Sequence, residues 1–469
     1  MKKIDMTRGP IMKNVVLFAL PIIAGNILQY LYTTVDTLVI GNYCDHTALA
    51  AVGTSSQPVE VLLCIFLGIG TGVSILISQY VGAKDYEGMQ NASRTAISLV
   101  YLFGIPISLI GWFIAPLLLK LMNVPADVWN SALLYTRIVL CSAIGNIGYN
   151  MNAGILRGIG DSRASLWFLV VSCIANIVLD LTLVAGFGMG VSGVAIATGI
   201  AMMLAWLFSI FYIRKRYEGL GFTILPHGLS KKEVKSILSI GLPIGLNNSL
   251  FSFGHVALQT LINTQGSVFM AAWSVSGRVN GIANMAITGI SSAAITFSGQ
   301  NYGAGHIDRL REGQFRIPFI SGAITLSFGI FFILIRMPIL RLFTSDPLVL
   351  NYAGGFVVVM LLSQWMYAVF NGISCMINGT GRVRYTTVIN LMMLWAVRIP
   401  VAYLIVNTIG GTFIPYCFPA SFGFGMLCMI GYYLFNKEWK KLMHSDQKEE
   451  TGTAGHRGIT NRRAILLGR

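Results

Sequence analysis

Four oxygen-bearing side chains lie inside long apolar segments, where polar groups are costly and therefore informative. A charged side chain in the middle of a bilayer costs several kcal/mol on any scale, so it usually marks a binding site or an ion pathway. These residues are Asp36, Asn176, Asp180 and Thr198. Asn176 precedes Asp180 by one helical turn, which places both side chains on the same face of a helix.

The four residues are predicted to share one depth in the membrane. Asp36 and Asp180 lie near the outer ends of the first and fifth predicted spans, and Thr198 lies near the outer start of the sixth. At about 1.5 Å per residue, these three lie roughly 8 to 12 Å below the same boundary. Two carboxyls, an amide and a hydroxyl suit Na⁺ or another hard cation, or a proton shared between acids. We therefore predict a cation-coupling site at Asp36, Asn176, Asp180 and Thr198; the alternative is that both carboxylates bond only to backbone or to an arginine.

Other ionisable residues in the apolar segments are candidates for a central cleft. Glu60, near the outer end of the second span, could face the cleft and attract cationic molecules, or be a solvated residue at its mouth. His255 in the seventh span could titrate near neutrality, or form a hydrogen bond across helices. Arg278 and Arg398 are expected to pair with polar partners and support the bundle.

The remaining sequence lacks the motifs of an enzyme or an ATP-driven protein. It contains no Walker, HExxH or GxSxG pattern, and its 7 cysteines include no CxxC pair. Gly68, Gly70 and Gly72 lie inside a span, where they favour close helix packing over nucleotide binding. We predict a protein that is not an enzyme and has no cofactor, with a gradient of Na⁺ or H⁺ as its energy source.

The composition predicts an all-α polytopic membrane protein. Apolar residues make up 55% of the 469 and charged residues only 11%, and apolar stretches of about 20 residues, the length that crosses a bilayer, recur along the chain. Twelve transmembrane helices are predicted at about 14 to 41, 56 to 80, 94 to 122, 128 to 157, 163 to 187, 190 to 214, 236 to 262, 269 to 302, 314 to 342, 349 to 378, 384 to 407 and 413 to 436.

The distribution of positive residues predicts the orientation. Of the 33 lysines and arginines, 27 fall in the segments on the side of the amino-terminus. Positive residues concentrate on the cytoplasmic side of membrane proteins, so both termini are predicted to be cytoplasmic. The net charge of +15 is thus attributed to topology, and no nucleic-acid partner is expected. No cleavable signal is expected either, because the first apolar segment is too long.

The sequence repeats at an offset of 221 to 222 residues. Matching pairs include Leu20-Pro21-Ile22 with Leu242-Pro243-Ile244, Gln79 with Gln300, Asn150 with Asn371, and Gly158 with Gly379. Six spans per repeat predict two pseudo-symmetric six-helix bundles in a parallel repeat, facing each other across a cleft. The predicted parts are residues 1–213 for the first lobe, 214–235 for a cytoplasmic linker, 236–440 for the second lobe and 441–469 for a polar tail.

Only the first half carries the oxygen ligands. The positions in the second half that match Asp36, Asn176, Asp180 and Thr198 hold Leu258 or Ala257, Val397, Val401 and Pro419. A general packing requirement would act on both halves. The difference therefore indicates a specialised site in the first half.

Several motifs together resemble one family over residues 10 to 440. They are Leu20-Pro21 followed by Asp36; Gly68 to Ser78 leading into Gln79-Tyr80-Val81-Gly82-Ala83; Leu156-Arg157-Gly158-Ile159-Gly160-Asp161; and the run from Asn176 through Asp180 to Gly190-Val191-Ser192-Gly193-Val194-Ala195-Ile196-Ala197-Thr198. This pattern resembles the multidrug and toxic compound extrusion (MATE) transporters.

The resemblance implies a two-lobed antiporter that alternates between inward- and outward-facing states. It would export organic cations and other drugs against entering Na⁺ or H⁺, with Asp36, Asn176, Asp180 and Thr198 matching the first-lobe cation site of the family. Some members also carry acids in the second lobe. This chain has His255 in the seventh span and no acid in the tenth, so coupling is expected to rest on the first lobe.

Two other functions remain open at this stage. A flippase for a lipid-linked or amphiphilic substrate could use the same cleft, although a pyrophosphate cargo would require a strongly basic one. A membrane-embedded enzyme would require a catalytic set that the sequence does not contain. The expected partners are small organic cations, the coupling cation and the lipid bilayer, and we expect a monomer in the bacterial cytoplasmic membrane.

Overall fold

The structure, a computed structural model, describes residues 3–44, 46–122, 124–220, 222–226 and 228–443, and within these ranges every regular element is a helix. The sixteen α-helices are α1 Ile11–Tyr43, α2 His46–Ala83, α3 Tyr86–Leu121, α4 Trp129–Cys141, α5 Ala143–Ile159, α6 Ser162–Asp180, α7 Gly190–Arg216, α8 Lys231–Asn263, α9 Ser267–Ala304, α10 Ile307–Leu334, α11 Arg336–Arg341, α12 Pro347–Gly379, α13 Val383–Leu391, α14 Ile399–Thr408, α15 Cys417–Phe435 and α16 Lys437–Met443.

The helix lengths confirm the predicted membrane architecture. Among the described residues, eleven helical segments are long and apolar enough to span a bilayer, and the pair α4 and α5 supplies a twelfth, broken span. A π-helical segment, Met392–Arg398, joins α13 to α14 within one span, and another, Leu181–Gly186, extends α6. The first three residues of the predicted polar tail, 441–443, belong to α16, and the rest of the tail lies outside the described residues.

Two spans differ from the continuous helices that the sequence predicts. The fourth is bent by 43° between Cys141 and Ala143, where the Ser142 hydroxyl donates to the carbonyl of Val139 at 3.0 Å. Such back-bonding competes with the helix ladder and bends helices. The ninth ends at Leu334, before the short α11; Pro338 lacks the N–H that would bond to Leu334, so the helix does not continue.

The chain packs as two lobes with matching internal contacts. The first lobe comprises α1 to α7, in which α2 packs on α5 and α1 and α7 pack on α6; the second comprises α8 to α15, in which α12 packs on α9, α10 and α15. The repeat offset carries the α2 and α5 pair onto the α9 and α12 pair. The lobes meet where α2 contacts α8 and α9, and where α1 contacts α9.

Glycines allow the backbones of the two lobes to approach closely. A Cβ atom added at Gly68 would lie 2.1 Å from the backbone nitrogen of Gly245, and one at Gly82 would lie 1.9 Å from the carbonyl oxygen of Gln300. The equivalent contact in the other half of the repeat is also present: a Cβ at Gly303 would lie 1.9 Å from the carbonyl oxygen of Gln79. Only glycine fits these crossings without moving a helix.

A reciprocal pair of hydrogen bonds joins the lobes near the end that carries the amino-terminus and the α7–α8 connection, here called the inner end. Gln79 Nε2 donates to the carbonyl of Gly379 at 2.9 Å, and Gln300 Nε2 donates to the carbonyl of Gly158 at 3.0 Å. These residues are partners in the sequence repeat. We call the two bonds the glutamine latch.

The amino-terminal segment completes the closed inner end. The N–H of Ile4 donates to the carbonyl of Gly160 at 3.0 Å, and the N–H of Met6 donates to Gln300 Oε1 at 3.0 Å. The Met6 carbonyl accepts from Asn301 Nδ2 at 3.0 Å. The segment before α1 therefore contacts both lobes.

Candidate cation site and central cleft

The structure brings three of the four predicted ligands together in the first lobe. The Asp36 carboxyl on α1 faces the Asp180 carboxyl and the Asn176 amide on α6 at interacting distance. Asp180 is 0% exposed and Asn176 is 1% exposed, while Asp36 is half-buried. Thr198 lies on the adjacent α7, half-buried; its hydroxyl makes no hydrogen bond with the other three within the described residues.

The polar atoms of this cluster are buried without hydrogen-bond partners. They are Asp36 Oδ1, both carboxylate oxygens of Asp180, both amide atoms of Asn176 and the hydroxyl of Thr198. An unsatisfied buried polar group costs roughly 1 to 3 kcal/mol, and more when it is charged. The alternative that the carboxylates bond to backbone or to an arginine therefore finds no support in the described part of the chain. The arrangement has the donor set of a cation or proton site.

Apolar layers enclose the cluster on both sides. Towards the inner end, Tyr32, Cys173 and Met202 from α1, α6 and α7 form one buried group. Towards the opposite, outer end, Val39, Ile40, Val184 and Val194 belong to another. Of the four residues, Asp36 and Thr198 keep accessible surface, so these two side chains connect the cluster to its surroundings. Low dielectric on both sides strengthens the repulsion between two ionised carboxylates, which favours uptake of a cation or a proton.

Two tyrosines that the sequence analysis missed also approach the carboxylates. Tyr32, one turn before Asp36 on α1, and Tyr135 on α4 both interact with Asp36, and Tyr135 also interacts with Asp180. The spacing of Tyr32 and Asp36 on one helix could have identified the first. Nothing in the sequence links α4 to α1, so Tyr135 required the tertiary structure.

A helix irregularity begins directly after Asp180. The chain changes there from α-helix to the π-helical segment Leu181–Gly186, in which the Thr182 hydroxyl donates to the carbonyl of Val178 at 2.7 Å. Short π-helical segments recur at functional sites because they redirect side chains and loosen the backbone ladder. The π-helical segment of the second lobe, Met392–Arg398, lies at a different place in its repeat, so the feature beside Asp180 belongs to the first lobe alone.

The second lobe buries a positive charge where the first lobe buries negative ones. Arg398 is 1% exposed; its Nε donates to the Ser421 hydroxyl at 3.1 Å, and its guanidinium lies 5.7, 4.7 and 4.8 Å from the rings of Phe251, Phe418 and Phe422. The expectation that Arg398 has polar and supporting partners is confirmed. A cation near this guanidinium would be repelled, which agrees with placing coupling in the first lobe.

The other cleft candidates differ in their surroundings. His255 packs edge-on against Phe251 at 5.0 Å and keeps accessible surface; the cross-helix hydrogen bond considered for it is not found among the described residues. Glu60 is exposed and lies near Cys64, which interacts with Ser252 of α8. Arg278 is exposed on α9 without the expected polar partner in the described ranges, so that expectation is wrong. The substrate-cleft roles of Glu60 and His255 remain predictions.

The chemistry of the first-lobe cluster fits a small hard cation or a proton. Within the residues that the structure describes, no group of three or more His, Cys, Asp or Glu side chains comes together, so the donors are two carboxylates supplemented by neutral groups. Transition metals favour imidazole and thiolate ligands, whereas Na⁺ and protons suit oxygen. Two helical lobes in a membrane, with such a cluster in one of them, define a polytopic transporter-like protein.

Comparison with known proteins identifies the family. The sequence profile described as MatE matches residues 21–182 and again residues 243–404, and the second match is displaced from the first by the offset of the internal repeat. The chain therefore belongs to the MatE family, the multidrug and toxic compound extrusion transporters.

Two similar bacterial proteins cover most of the chain. The probable multidrug resistance protein YoeA of Bacillus subtilis is 30% identical over 455 residues, which are 93% of this chain and 96% of the relative. The probable multidrug resistance protein NorM of Thermotoga maritima is 27% identical over 85% of this chain and 86% of its own. Both relatives carry the name of a probable multidrug resistance protein.

Solved structures share the fold. One is described as the outward-facing conformation of a multidrug resistance MATE family transporter, with a TM-score of 0.86, 24% identity and coverage of 96% of this chain and 99% of the other. Another, from Pyrococcus furiosus, is described as having a binding pocket of reverse polarity that suggests a different function; its TM-score is 0.85 at 23% identity, with 94% and 99% of the two chains covered. At these identities the likeness establishes the fold alone.

Proposed function

We propose that this protein is a cation-coupled antiporter that exports organic cations and other drugs across the cytoplasmic membrane, using entering Na⁺ or H⁺. The observation that carries the proposal is the set of buried, unpartnered polar atoms at Asp36, Asn176, Asp180 and Thr198. The relatives named as multidrug resistance proteins support the substrate class.

Helix α1 is the element that links the cation site to the interface between the lobes. Its outer half carries Asp36. Its inner half contacts α9 of the other lobe, where Asn26 Nδ2 donates to the Thr288 hydroxyl at 2.7 Å and a Cβ at Gly289 would lie 2.4 Å from the Ile23 side chain. Relief of repulsion between Asp36 and Asp180 changes how α1 packs on α6, and this change reaches α9 through the same helix.

The glutamine latch supports a resting state that is open on the outer side. The predicted orientation makes the inner end cytoplasmic, so the closed end of the structure faces the cytoplasm. Cargo leaves from the open side, and cation loading then favours breaking the latch. A ligand shifts such an equilibrium only through its different affinity for the two states, so the cation and the drug must prefer opposite ones.

The test is drug transport in proteoliposomes with Na⁺ and pH gradients imposed separately. Wild type should move ethidium in response to one gradient, and Asp36→Asn and Asp180→Asn should each lose that response while inserting normally. Asp85→Asn is the matched control, because Asp85 caps α3 through the N–H of Gly88 at 2.9 Å and asparagine caps equally well. Gradient-driven transport that persists in both site variants would overturn the proposal.

Export or flipping of an anionic amphiphile is the second candidate, and Arg278 favours it. This side chain is exposed within a span of the second lobe, and the fold accommodates a pocket of reverse polarity in the Pyrococcus protein. The same vesicles distinguish the two candidates. Movement of a fluorescent anionic lipid that is abolished by Arg278→Gln, together with no movement of ethidium, would select the second.

A further inference from the structure

A polar pocket lies between the lobes, next to the glutamine latch. It has a volume of about 160 Å³ and is walled by α2 of the first lobe and by α8, α9, α12 and α13 of the second. None of its lining residues in the described part of the chain carries a charge. Five of them are asparagines: Asn247, Asn248, Asn371, Asn378 and Asn390. Asn378 directly precedes Gly379, whose carbonyl accepts a hydrogen bond of the latch. We call this cavity the asparagine pocket.

Two of these asparagines keep a buried acceptor that has no hydrogen-bond partner in the described ranges. Asn247 is 9% exposed, and its Oδ1 is buried and unpartnered. The half-buried Asn390 also has a buried, unpartnered Oδ1. Buried amides almost always have partners, because an unpaired one costs free energy. Two such acceptors in the wall of one pocket therefore indicate a site for a group that donates hydrogen bonds.

Other polar groups in the wall of the asparagine pocket are held in place by hydrogen bonds. Asn371 Oδ1 accepts from the Ser291 hydroxyl at 2.6 Å, and Asn371 Nδ2 donates to the Tyr367 hydroxyl at 3.3 Å. Asn378 Oδ1 accepts from the Thr386 hydroxyl at 2.6 Å. These bonds fix the orientation of both amides, so this part of the wall is preorganised. The Asn378 amide nitrogen supplies a donor in addition to the acceptors of Asn247 and Asn390.

The charges around the pocket decide which kind of group it accepts. The ring of Tyr367, in the pocket wall, lies 5.0 Å from that of Phe422, which lies 4.8 Å from the Arg398 guanidinium. Arg398 is 1% exposed and forms no ion pair among the residues that the structure describes. In a low dielectric this buried charge disfavours a cation in the pocket. An ionised carboxylate only accepts hydrogen bonds, so it cannot satisfy the acceptors of Asn247 and Asn390.

The first lobe lacks this polarity at the matching positions. The repeat offset carries Asn247 onto Gly25 and Asn390 onto Leu169. These two residues pack against each other, because a Cβ at Gly25 would lie 3.0 Å from Leu169 Cδ1. The equivalent helix contact is therefore apolar in the first lobe and polar in the second. The shared fold does not require the asparagines, so they indicate a function of the second lobe.

We propose that the asparagine pocket binds an uncharged part of the exported cargo that both donates and accepts hydrogen bonds, such as a carboxamide or a pair of hydroxyls. The inference rests on the proposed function for its role in export, whereas binding itself requires no gradient. A pocket of about 160 Å³ holds one end of a larger molecule. Thr71 of the first lobe also lines the pocket, so the bound group contacts both lobes and favours the closed inner end.

Three related probes of different charge test the proposal by equilibrium binding to the purified full-length chain in detergent. Chloramphenicol is uncharged and carries an amide and two hydroxyls; its deacylated amine is a cation at neutral pH, and its hemisuccinate is an anion. Radiolabelled chloramphenicol should bind, and the amine should compete on the order of tenfold more weakly because Arg398 repels it. The hemisuccinate should also compete more weakly, because it has lost a hydroxyl donor.

Substitutions place the bound group in the asparagine pocket. Asn247→Leu and Asn390→Leu should each weaken chloramphenicol binding about fivefold, and the double variant roughly 10- to 30-fold, through the loss of one hydrogen bond apiece. Their melting temperatures should not fall, because each change removes an unpartnered buried amide. Asn280→Leu is the matched control. It removes a half-buried asparagine of α9 whose Oδ1 is also unpartnered but which does not line the pocket, and it should bind chloramphenicol as wild type does.

Several results would overturn the inference. They are no binding of chloramphenicol to wild type, binding of the amine or the hemisuccinate that equals or exceeds it, and an equal loss of affinity in Asn280→Leu and Asn247→Leu. The proposed antiport is refuted by a different result. Gradient-driven ethidium transport without the expected binding pattern refutes the pocket alone, whereas the binding pattern without gradient-driven transport refutes the coupling alone.

Discussion

The glutamine latch predicts how two substitutions redistribute the protein between its states. Gln79→Ala removes one hydrogen bond between the lobes, from Gln79 to Gly379. Gln300→Ala removes two, one to Gly158 and one from Met6. At about 1 kcal/mol per bond, the closed inner end loses about 1 kcal/mol in the first variant and about 2 kcal/mol in the second.

The double variant should shift the balance by about 3 kcal/mol, which is on the order of a 100-fold change in the ratio of closed to open inner ends. The two sites are close, so some coupling between them is expected. Distances between nitroxide labels at Glu87 and Lys437, exposed positions near the inner ends of the first and second lobes, measure the shift by electron paramagnetic resonance. The fraction of molecules with a longer distance between the labels should increase from Gln79→Ala to Gln300→Ala and again to the double variant.

The control for the latch is a buried glutamine inside one lobe. Gln314 accepts from Trp439 Nε1 at 2.9 Å, and both residues belong to the second-lobe side of the chain. Gln314→Ala should lower thermal stability by about 1 kcal/mol and leave the label distances unchanged. An equal shift in Gln314→Ala and Gln300→Ala, or no shift in the double variant, would refute the reasoning.

Three further outcomes are expected. Asp180→Asn should leave the melting temperature in detergent unchanged or raised, because it neutralises an unpartnered buried acid. Asp161→Asn should lower the free energy of unfolding by about 2 to 4 kcal/mol, because the Asp161 carboxylate accepts hydrogen bonds from the hydroxyls of Tyr212 and Tyr217. The opposite order of stabilities would contradict the site assignment. Gly82→Ala should open the inner end, because the added Cβ would clash with the carbonyl oxygen of Gln300. Gly277→Ala, whose Cβ would have no atom within 4 Å, should leave the inner end closed. The same label distances measure both variants. Tyr135→Phe should weaken binding of the proposed coupling cation by up to about tenfold in transport titrations. Tyr149→Phe, which loses a hydrogen bond to the carbonyl of Ser165, should affect only stability.

The sequence predicted the architecture well because lipid imposes simple rules on it. Twelve spans, two lobes and the packing role of Gly68 follow from apolar length, internal repetition and the small residues that close helix crossings require. The bend at Ser142 was not predicted, because a single hydroxyl bonding to its own helix leaves no mark in hydropathy.

The candidate site was predictable only in part. Asp36, Asn176 and Asp180 could be grouped because depth and helical spacing are encoded locally, and the structure places them together. Tyr135 could not be added, since its approach depends on how α4 packs against α1 and α6. The same limit applies to the glutamine latch: the repeat paired Gln79 with Gln300, but only the packed lobes show that each reaches the glycine of the other half.

The position of residues before α1 has a practical consequence. Ile4 and Met6 are hydrogen-bonded to both lobes at the closed end, so any polypeptide fused just upstream would crowd contacts that must separate in the proposed transport cycle. An affinity handle at the amino-terminus would bias purified material towards one conformation. An affinity tag at the carboxyl-terminus would leave the contacts of Ile4 and Met6 unobstructed.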